Sequence, residues 1–267
     1  MTTTSGQAVH FIELTKQPIT PRQAALTVEM WVKVDRQAGK RQFLASLWGP
    51  NVDVNDVFNL YIDESDQLSF EVNPESSRLG AADNTIVRAS ATGMYARWAH
   101  VAAVFDGSTA SVSLYLDGTL VGGPVTNAAY PVNTLNPLSR GDLNTLIGSS
   151  NGFLDNQNLN RTLLGMVDEF RMWNRALTAS EINCQKDRSL NGNEAGLRVY
   201  YRFNSSNVNN TTFSCDATGN AFDYQLRSGA SYQRSDRVPK KSLIVTPSFI
   251  TDEIKCDTTR TWTLTVS

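Results

Sequence analysis

The stretch from Gly165 to Ile182, GMVDEFRMWNRALTASEI, brings Asp168, Glu169, Arg171, Trp173 and a helix-start signal into eighteen residues. Read as a strand, it places Met166, Asp168, Phe170 and Met172 on one face and Val167, Glu169, Arg171 and Trp173 on the other. Asp168 then points to the apolar side, where a carboxylate needs donors or a cation. Backbone amides or His100 would satisfy it, and the stretch reads mainly as scaffold, a core strand ending in a capped helix. Elsewhere, YIDESDQL sets Asp63, Glu64 and Asp66 at a hairpin tip, and DATGNAFD (Asp216 to Asp223) reads as a turn rather than a calcium loop. There is no GxSxG, and neither of the two histidines belongs to a recognisable triad or metal motif. The three cysteines, Cys184, Cys215 and Cys256, lack CxxC spacing, which argues against a zinc ribbon and leaves room for one pair and one leftover.

These groups sit in a chain of 267 residues, long enough for one large all-β domain or two smaller ones. The net charge is −2 and the 24 basic residues are scattered, so no nucleic-acid footprint is present. The most apolar runs, such as WAHVAAVF, are too short and too interrupted to span a membrane. The opening MTTTSGQAVH lacks the basic and apolar regions of a signal peptide, and the expectation is a piece cut from a longer precursor.

The elements that must position these side chains are strands. TVEMWVKV (Thr27 to Val34) alternates, and His100 to Phe105 and Ser111 to Leu116 are short β-rich runs. Asp106-Gly107 and Asp117-Gly118 each offer a tight hairpin turn. Further strands are expected at Phe11 to Leu14, Gln42 to Leu47, Phe58 to Ile62, Leu68 to Val72, Asn144 to Ile147, Met166 to Trp173 and Leu197 to Phe203. About a dozen short strands suggest an all-β, two-sheet antiparallel sandwich or jelly roll. One short helix is predicted from Ala179 to before Ser189: Thr178 and Glu181 form a capping box, and Leu177 and Ile182 a hydrophobic staple. Trp31 and Trp173 lie opposite their strands' aliphatic stripes, where they could stack on sugar rings; coverage by this helix is the preferred reading. After Arg227 the composition turns polar and basic, with Pro239, as in a linker, and SLIVTPSFI and RTWTLTV then read as two strands.

ALTVEMWVKV, RWAHVAAVFDG, VSLYLDGTLVGG and GMVDEFRMWNRALTASEI resemble, in that order, successive motifs of the laminin-G-like, concanavalin-A-like jelly-roll modules. GNEAGLRVYYRFN and DATGNAFDYQL resemble the segment flanking such modules in large bacterial surface proteins, and the tail resembles the opening of an immunoglobulin-like module. The organisation this implies is a tail at 1–7, the jelly roll at 8–230 including Leu197 to Leu226, a linker at 231–241 and a second domain beginning at 242–267. The jelly roll is shared with the pentraxins, whose calcium loops correspond here to NVDVNDVF and IGSSNGFLDNQN. The resemblance implies Asp53, Asn55, Asp56, Asn151 and Asp155 as oxygen ligands for calcium, although Ser149 and Ser150 depart from the acidic or amide pattern. An ordinary Asn/Asp-rich turn is the competing reading.

The E-x-D-x-E carboxylate pattern of related jelly-roll glycoside hydrolases does not occur, so no enzyme activity is expected. Cys184 and Cys215, both in the closing segment of the module, are expected to form a disulfide in an oxidising setting. The expected function is a non-catalytic recognition or adhesion module of a secreted or cell-surface protein, with glycan or protein ligands, further modules of the same chain and self-assembly as partners. A structural module of an appendage and a degenerate hydrolase are the alternatives.

Overall fold

The computed structural model describes residues 11–48, 56–73, 84–129, 131–135, 145–150, 162–203, 212–213 and 216–227. Along the chain run β1 (Phe11–Leu14), β2 (Ala25–Val34), β3 (Gln42–Trp48), β4 (Asp56–Ile62), β5 (Gln67–Val72), β6 (Thr85–Ser90) and β7 (Trp98–Asp106). Then come β8 (Ser111–Leu116), β9 (Thr119–Thr126), β10 (Thr145–Ile147), β11 (Gly165–Trp173), α1 (Ala179–Gln185), β12 (Leu197–Tyr201), β13 (Thr212–Phe213) and β14 (Tyr224–Arg227). They form an eight-stranded sheet, ordered β13-β14-β1-β10-β3-β4-β5-β6, and a six-stranded sheet, ordered β12-β11-β2-β7-β8-β9. Strand pairs in both are antiparallel, the two-sheet sandwich the alternating runs predict. The tail at 1–7, the linker at 231–241 and the immunoglobulin-like segment at 242–267 lie outside the described residues.

The core lies between the sheets. Val28, Met30, Val32 and Val34 on alternate positions of β2 are fully buried, facing Phe58, Leu60 and Phe70 within one apolar cluster. Burying such side chains is the main driving force for closing the sandwich, about 1.5–3 kcal/mol for each large one. Leu197–Tyr201 joins the six-stranded sheet beside β11, and Tyr224–Arg227 joins the eight-stranded sheet beside β1. The closing segment is thus divided between the two sheets, with Val199 and Tyr201 in the shared core.

Two local expectations are corrected. A β-bulge lies between Asp168 and Arg171, where three residue steps on β11 oppose two on β2, and Glu169 takes φ 52°. The register pairs Met166 with Lys33, Val167 with Val32 and Asp168 with Trp31, so Asp168 shares the outer face of Trp31 rather than the apolar face. Beyond the bulge Phe170 and Met172 enter the core as predicted. One inserted residue reverses the faces on either side of it, and strict alternation cannot foresee this.

The other correction concerns a turn. Asp117 and Gly118 both take positive φ (52° and 84°), the tight hairpin expected there. After β7, however, the turn runs over 107–110 and positive φ falls at Ala110. Gly107 serves a close approach instead: a Cβ there would stand 1.9 Å from the Asn133 carbonyl oxygen.

α1 has the predicted capping box. Thr178 Oγ1 accepts from the Glu181 amide (3.2 Å), and Glu181 Oε2 accepts from the Thr178 amide (2.8 Å). Leu177 and Ile182 pack with Trp173, Leu190, Leu197 and Tyr200 in a second apolar cluster. α1 therefore roofs the outer face of the six-stranded sheet, and Trp173 is fully buried beneath it. Replacing Thr178 with Ala is expected to lower stability by about 1 kcal/mol, the usual cost of losing an N-cap, read as a reduced urea midpoint at unchanged slope.

Candidate functional site

The acidic and basic groups of β11 meet a buried network under α1. Glu29 on β2 accepts from Trp173 Nε1 (3.0 Å) and Arg171 Nη1 (3.4 Å), and His100 Nε2 on β7 stands 3.3 Å from its other oxygen. Arg171 donates further to Glu169 Oε2 (2.9 Å) and to the carbonyls of Gln185 (3.0 Å) and Arg188 (2.5 Å). Tyr200 OH donates to the same Glu169 oxygen, and Trp31 Nε1 donates to the Lys186 carbonyl (2.7 Å). Glu29, His100 and Arg171 are at most 1% exposed. Burial opposes ionisation of Glu29, but His100, the Arg171 charge and the Trp173 N–H outweigh it and hold its carboxyl below the ordinary glutamate range. The network binds the sheet to the segment that covers it, which makes it scaffold.

Asp168 accepts from the Glu169 amide (3.0 Å), one of the backbone donors foreseen for it. His100 instead lies against Glu29, and in the strand register Trp31 stands between Asp168 and His100. The other singled-out carboxylates also hold protein groups. At the tip of the β4–β5 hairpin, Asp63 Oδ1 accepts from the amides of Ser65 and Gln67 (both 2.9 Å), Arg41 donates to Glu64 (3.1 Å), and Asp66 accepts from Arg36 and from Tyr95 OH (2.6 Å). Asp216 accepts from the amides of Tyr200 (3.1 Å), Thr218 (3.0 Å) and Phe222 (3.2 Å), so DATGNAFD is the predicted turn.

The outer face of the eight-stranded sheet has a different character. Alternation on β3, β4 and β5 turns Ser46, Asn59 and Glu71 outward in one row across the strands, and Phe43, Tyr61 and Ser69 in the next, continued by Arg88 on β6. Glu71 accepts from Asn59 Nδ2 (2.8 Å) and Tyr61 OH (3.2 Å). Phe43 stacks on Tyr61 at 5.2 Å, and the Arg41 guanidinium lies over the Tyr61 ring at 4.8 Å. Burial, and then the charge of Glu71, push the Tyr61 hydroxyl above its ordinary range, so it remains a donor. The two rings are nearly covered, while Glu71 is half-buried and the Arg88 side chain is 52% exposed. This cluster was not singled out in the sequence. Its members come from separate strands and only the register assembles them.

Of the residues implied as calcium ligands, Asp53, Asn55, Asn151 and Asp155 lie outside the described residues. Asp56 is the first residue of β4, opposite Trp48. The start of the second loop lies over β3, where Ser46 Oγ donates to the Ser149 carbonyl (2.9 Å). Ser150 Oγ is buried without a hydrogen-bond partner among the described residues. Among the described residues no group of three or more His, Cys, Asp or Glu converges as a metal cradle. Cys184 on α1 is disulfide-bonded, while Cys215 and Cys256 are outside the described residues. No helix among the described residues is long and apolar enough to cross a membrane.

The depressed Glu29 carboxyl makes stability depend on pH. A carboxyl whose folded-state pKa lies below its unfolded value contributes stability above the unfolded pKa, and that contribution disappears as pH falls through the folded one. Glu29→Gln is expected to cost about 3 kcal/mol at neutral pH, because it leaves the buried Arg171 poorly balanced. The difference from wild type should narrow below the ordinary glutamate value of 4.5. Urea unfolding of both chains at a series of pH values checks this.

Residues 6–183 match a laminin-G family model described as the concanavalin A-like lectin/glucanases superfamily. No curated protein sequence matches the chain. Among solved structures, a candidate carbohydrate-binding protein from Bacteroides ovatus superposes with a TM-score of 0.59 at 19% identity, over 85% of this chain. The chain spans 61% of that protein's length. A heptameric SAP-like pentraxin from Limulus polyphemus superposes with a TM-score of 0.48 at 15% identity, over 68% of this chain and 79% of the other. The CBM40 of a Ruminococcus gnavus sialidase, bound to α2,3-sialyllactose, gives 0.43 at 15% identity, over 58% and 78%. At these identities the structural likeness is one of fold. The family match extends over more than half of the sequence, and with the two-sheet sandwich it makes this chain a member of the concanavalin A-like lectin/glucanases superfamily.

Proposed function

We propose that the chain is a non-catalytic glycan-recognition module, part of a larger secreted or cell-surface protein. The observation that carries this reading is the array on the outer face of the eight-stranded sheet. Asn59 and Tyr61 hold the Glu71 carboxylate in place, with Arg41 and Arg88 at its margin. Sugar hydroxyls each donate and accept, and a fixed carboxylate beside guanidinium donors on a rigid sheet offers both functions without a large rearrangement. The likeness in fold to a candidate carbohydrate-binding protein is in keeping with this reading. Asp63, Asp66, Glu169 and Asp216 hold amides, arginines or tyrosines, whereas glycoside hydrolysis needs two carboxyls facing the scissile bond.

Calcium belongs to the same reading. Asp53, Asn55, Asp56, Asn151 and Asp155 would hold the ion, and it would order the rim of the recognition face without taking part in a reaction. The disulfide at Cys184 supports an oxidising compartment, and Cys215 is its proposed partner.

Glycan-array screening followed by calorimetric titration tests the reading. A glycan that binds wild type is expected to bind Glu71→Ala at least about tenfold more weakly, as the loss of a charged hydrogen bond of about 1.5–3 kcal/mol implies. Absence of glycan binding with and without calcium, or equal affinity of the variant, overturns it. Calcium is expected to raise the unfolding midpoint relative to chelator, and Asp56→Ala to remove that rise, because a ligand bound only to the native state stabilises it by mass action. Equal midpoints leave the loops as turns. Peptide mapping without reductant is expected to recover a fragment joining Cys184 to Cys215, and a link to Cys256 would refute the pairing.

A further inference from the structure

The acids on the β4–β5 side of the eight-stranded sheet fall into two kinds. Asp63, Glu64 and Asp66 at the hairpin tip each meet an arginine: Arg88 Nε at 3.9 Å, Arg41 Nη2 at 3.1 Å and Arg36 Nη2 at 2.5 Å. Glu71, on β5 between Asn59 of β4 and Ile86 of β6, is held by neutral groups instead. Its Oε1 accepts from Asn59 Nδ2 and its Oε2 from Tyr61 OH, and no cation among the described residues forms an ion pair with it. An ionised carboxylate offers about four acceptor positions, so both oxygens can still take a hydrogen from a ligand.

The charge of Glu71 is thus uncompensated, while those of the tip acids are not. Arg88 is the basic side chain best placed to draw an anionic ligand, since it is 52% exposed and its contact with Asp63 is long. An exposed charge is screened by salt over about 8 Å, whereas a partly buried one is screened much less. Glu71 is half-buried, and Arg88 is exposed with Asp63 beside it, so the carboxylate sets the sign of the potential that a ligand on this row meets. Opposing like charges at an interface suppresses the wrong partner.

We propose that Glu71 makes this face selective for uncharged glycans, accepting from sugar hydroxyls and excluding sugars that carry a carboxylate or a sulfate. The inference rests on the glycan reading of the same face and adds the chemical class of the ligand. Asn59 and Tyr61 serve the selection by fixing the carboxylate without neutralising it. An arginine or lysine in either place would hold Glu71 equally well and would remove the discrimination.

Binding to matched pairs of glycans that differ only in an acidic substituent tests it, among them lactose with α2,3-sialyllactose and xylotetraose with its glucuronic-acid-substituted form. In each pair that wild type recognises, calorimetry is expected to show the uncharged member bound at least about tenfold more tightly. Glu71→Gln keeps the shape and a carbonyl acceptor but not the charge, and is expected to narrow that ratio to about threefold or less. Acidic members bound as tightly by wild type, or a ratio unchanged in Glu71→Gln, overturn this inference and leave the glycan reading standing. Binding to neither member of any pair, nor to any glycan of a wider array, overturns both. Should Glu71→Gln misfold, wild type alone decides. Its preference is expected to shrink as salt rises from about 0.01 M to about 1 M and the repulsion is screened, and a preference that salt does not change overturns the inference.

Discussion

The arrangement of the six-stranded sheet depends on one buried charge, the guanidinium of Arg171. Its side chain is 1% exposed and spans two layers, contacting Glu29 and Glu169 in the sheet and two carbonyls of the covering segment. Carbonyls at the end of a helix have no partners within it, and a cation beneath them suits both their lone pairs and the helix dipole. The same guanidinium would be costly to bury without its carboxylates. Sheet and roof therefore hold together as a unit. The apolar cluster of Trp173, Leu177, Ile182 and Tyr200 closes around that contact.

The bulge at Glu169 makes this arrangement possible. It lets Asp168 stay on the outer face with Trp31 while Phe170 and Met172 still reach the core. The extra residue is Glu169 itself, with φ at 52°, and its carboxylate receives both Arg171 and Tyr200. A locally unfavourable backbone conformation is thus accompanied by two charge-assisted hydrogen bonds in a buried setting.

The two outer faces have consequently diverged. That of the six-stranded sheet is roofed and occupied by an internal ion network, which leaves little for a ligand to contact. That of the eight-stranded sheet carries Glu71, Asn59, Tyr61 and Arg41 in a linked array with its charged members at the margin. The edge at β9 differs again, presenting apolar side chains without charge. One sandwich thereby separates a roofed scaffold face from a face that carries a linked polar array.

Much of this was legible in the sequence because the signals are local. Alternation located β2 and β8, Asp117-Gly118 announced its hairpin through positive φ, and Thr178 with Glu181 defined the start of α1 within a single turn. β9 was harder to read, since Gly122, Gly123 and Pro124 suggest a turn, and their place in a strand follows from close packing against β6 and β8. The bulge was not legible, because an inserted residue is defined only against a partner strand. Neither was the array on β3, β4 and β5, whose residues are far apart in the chain and become neighbours through register alone. Propensity and turn chemistry act over a few residues and so determined the elements and their class. Which carboxylate meets which cation depends on pairing between distant strands, and only the tertiary structure decided it.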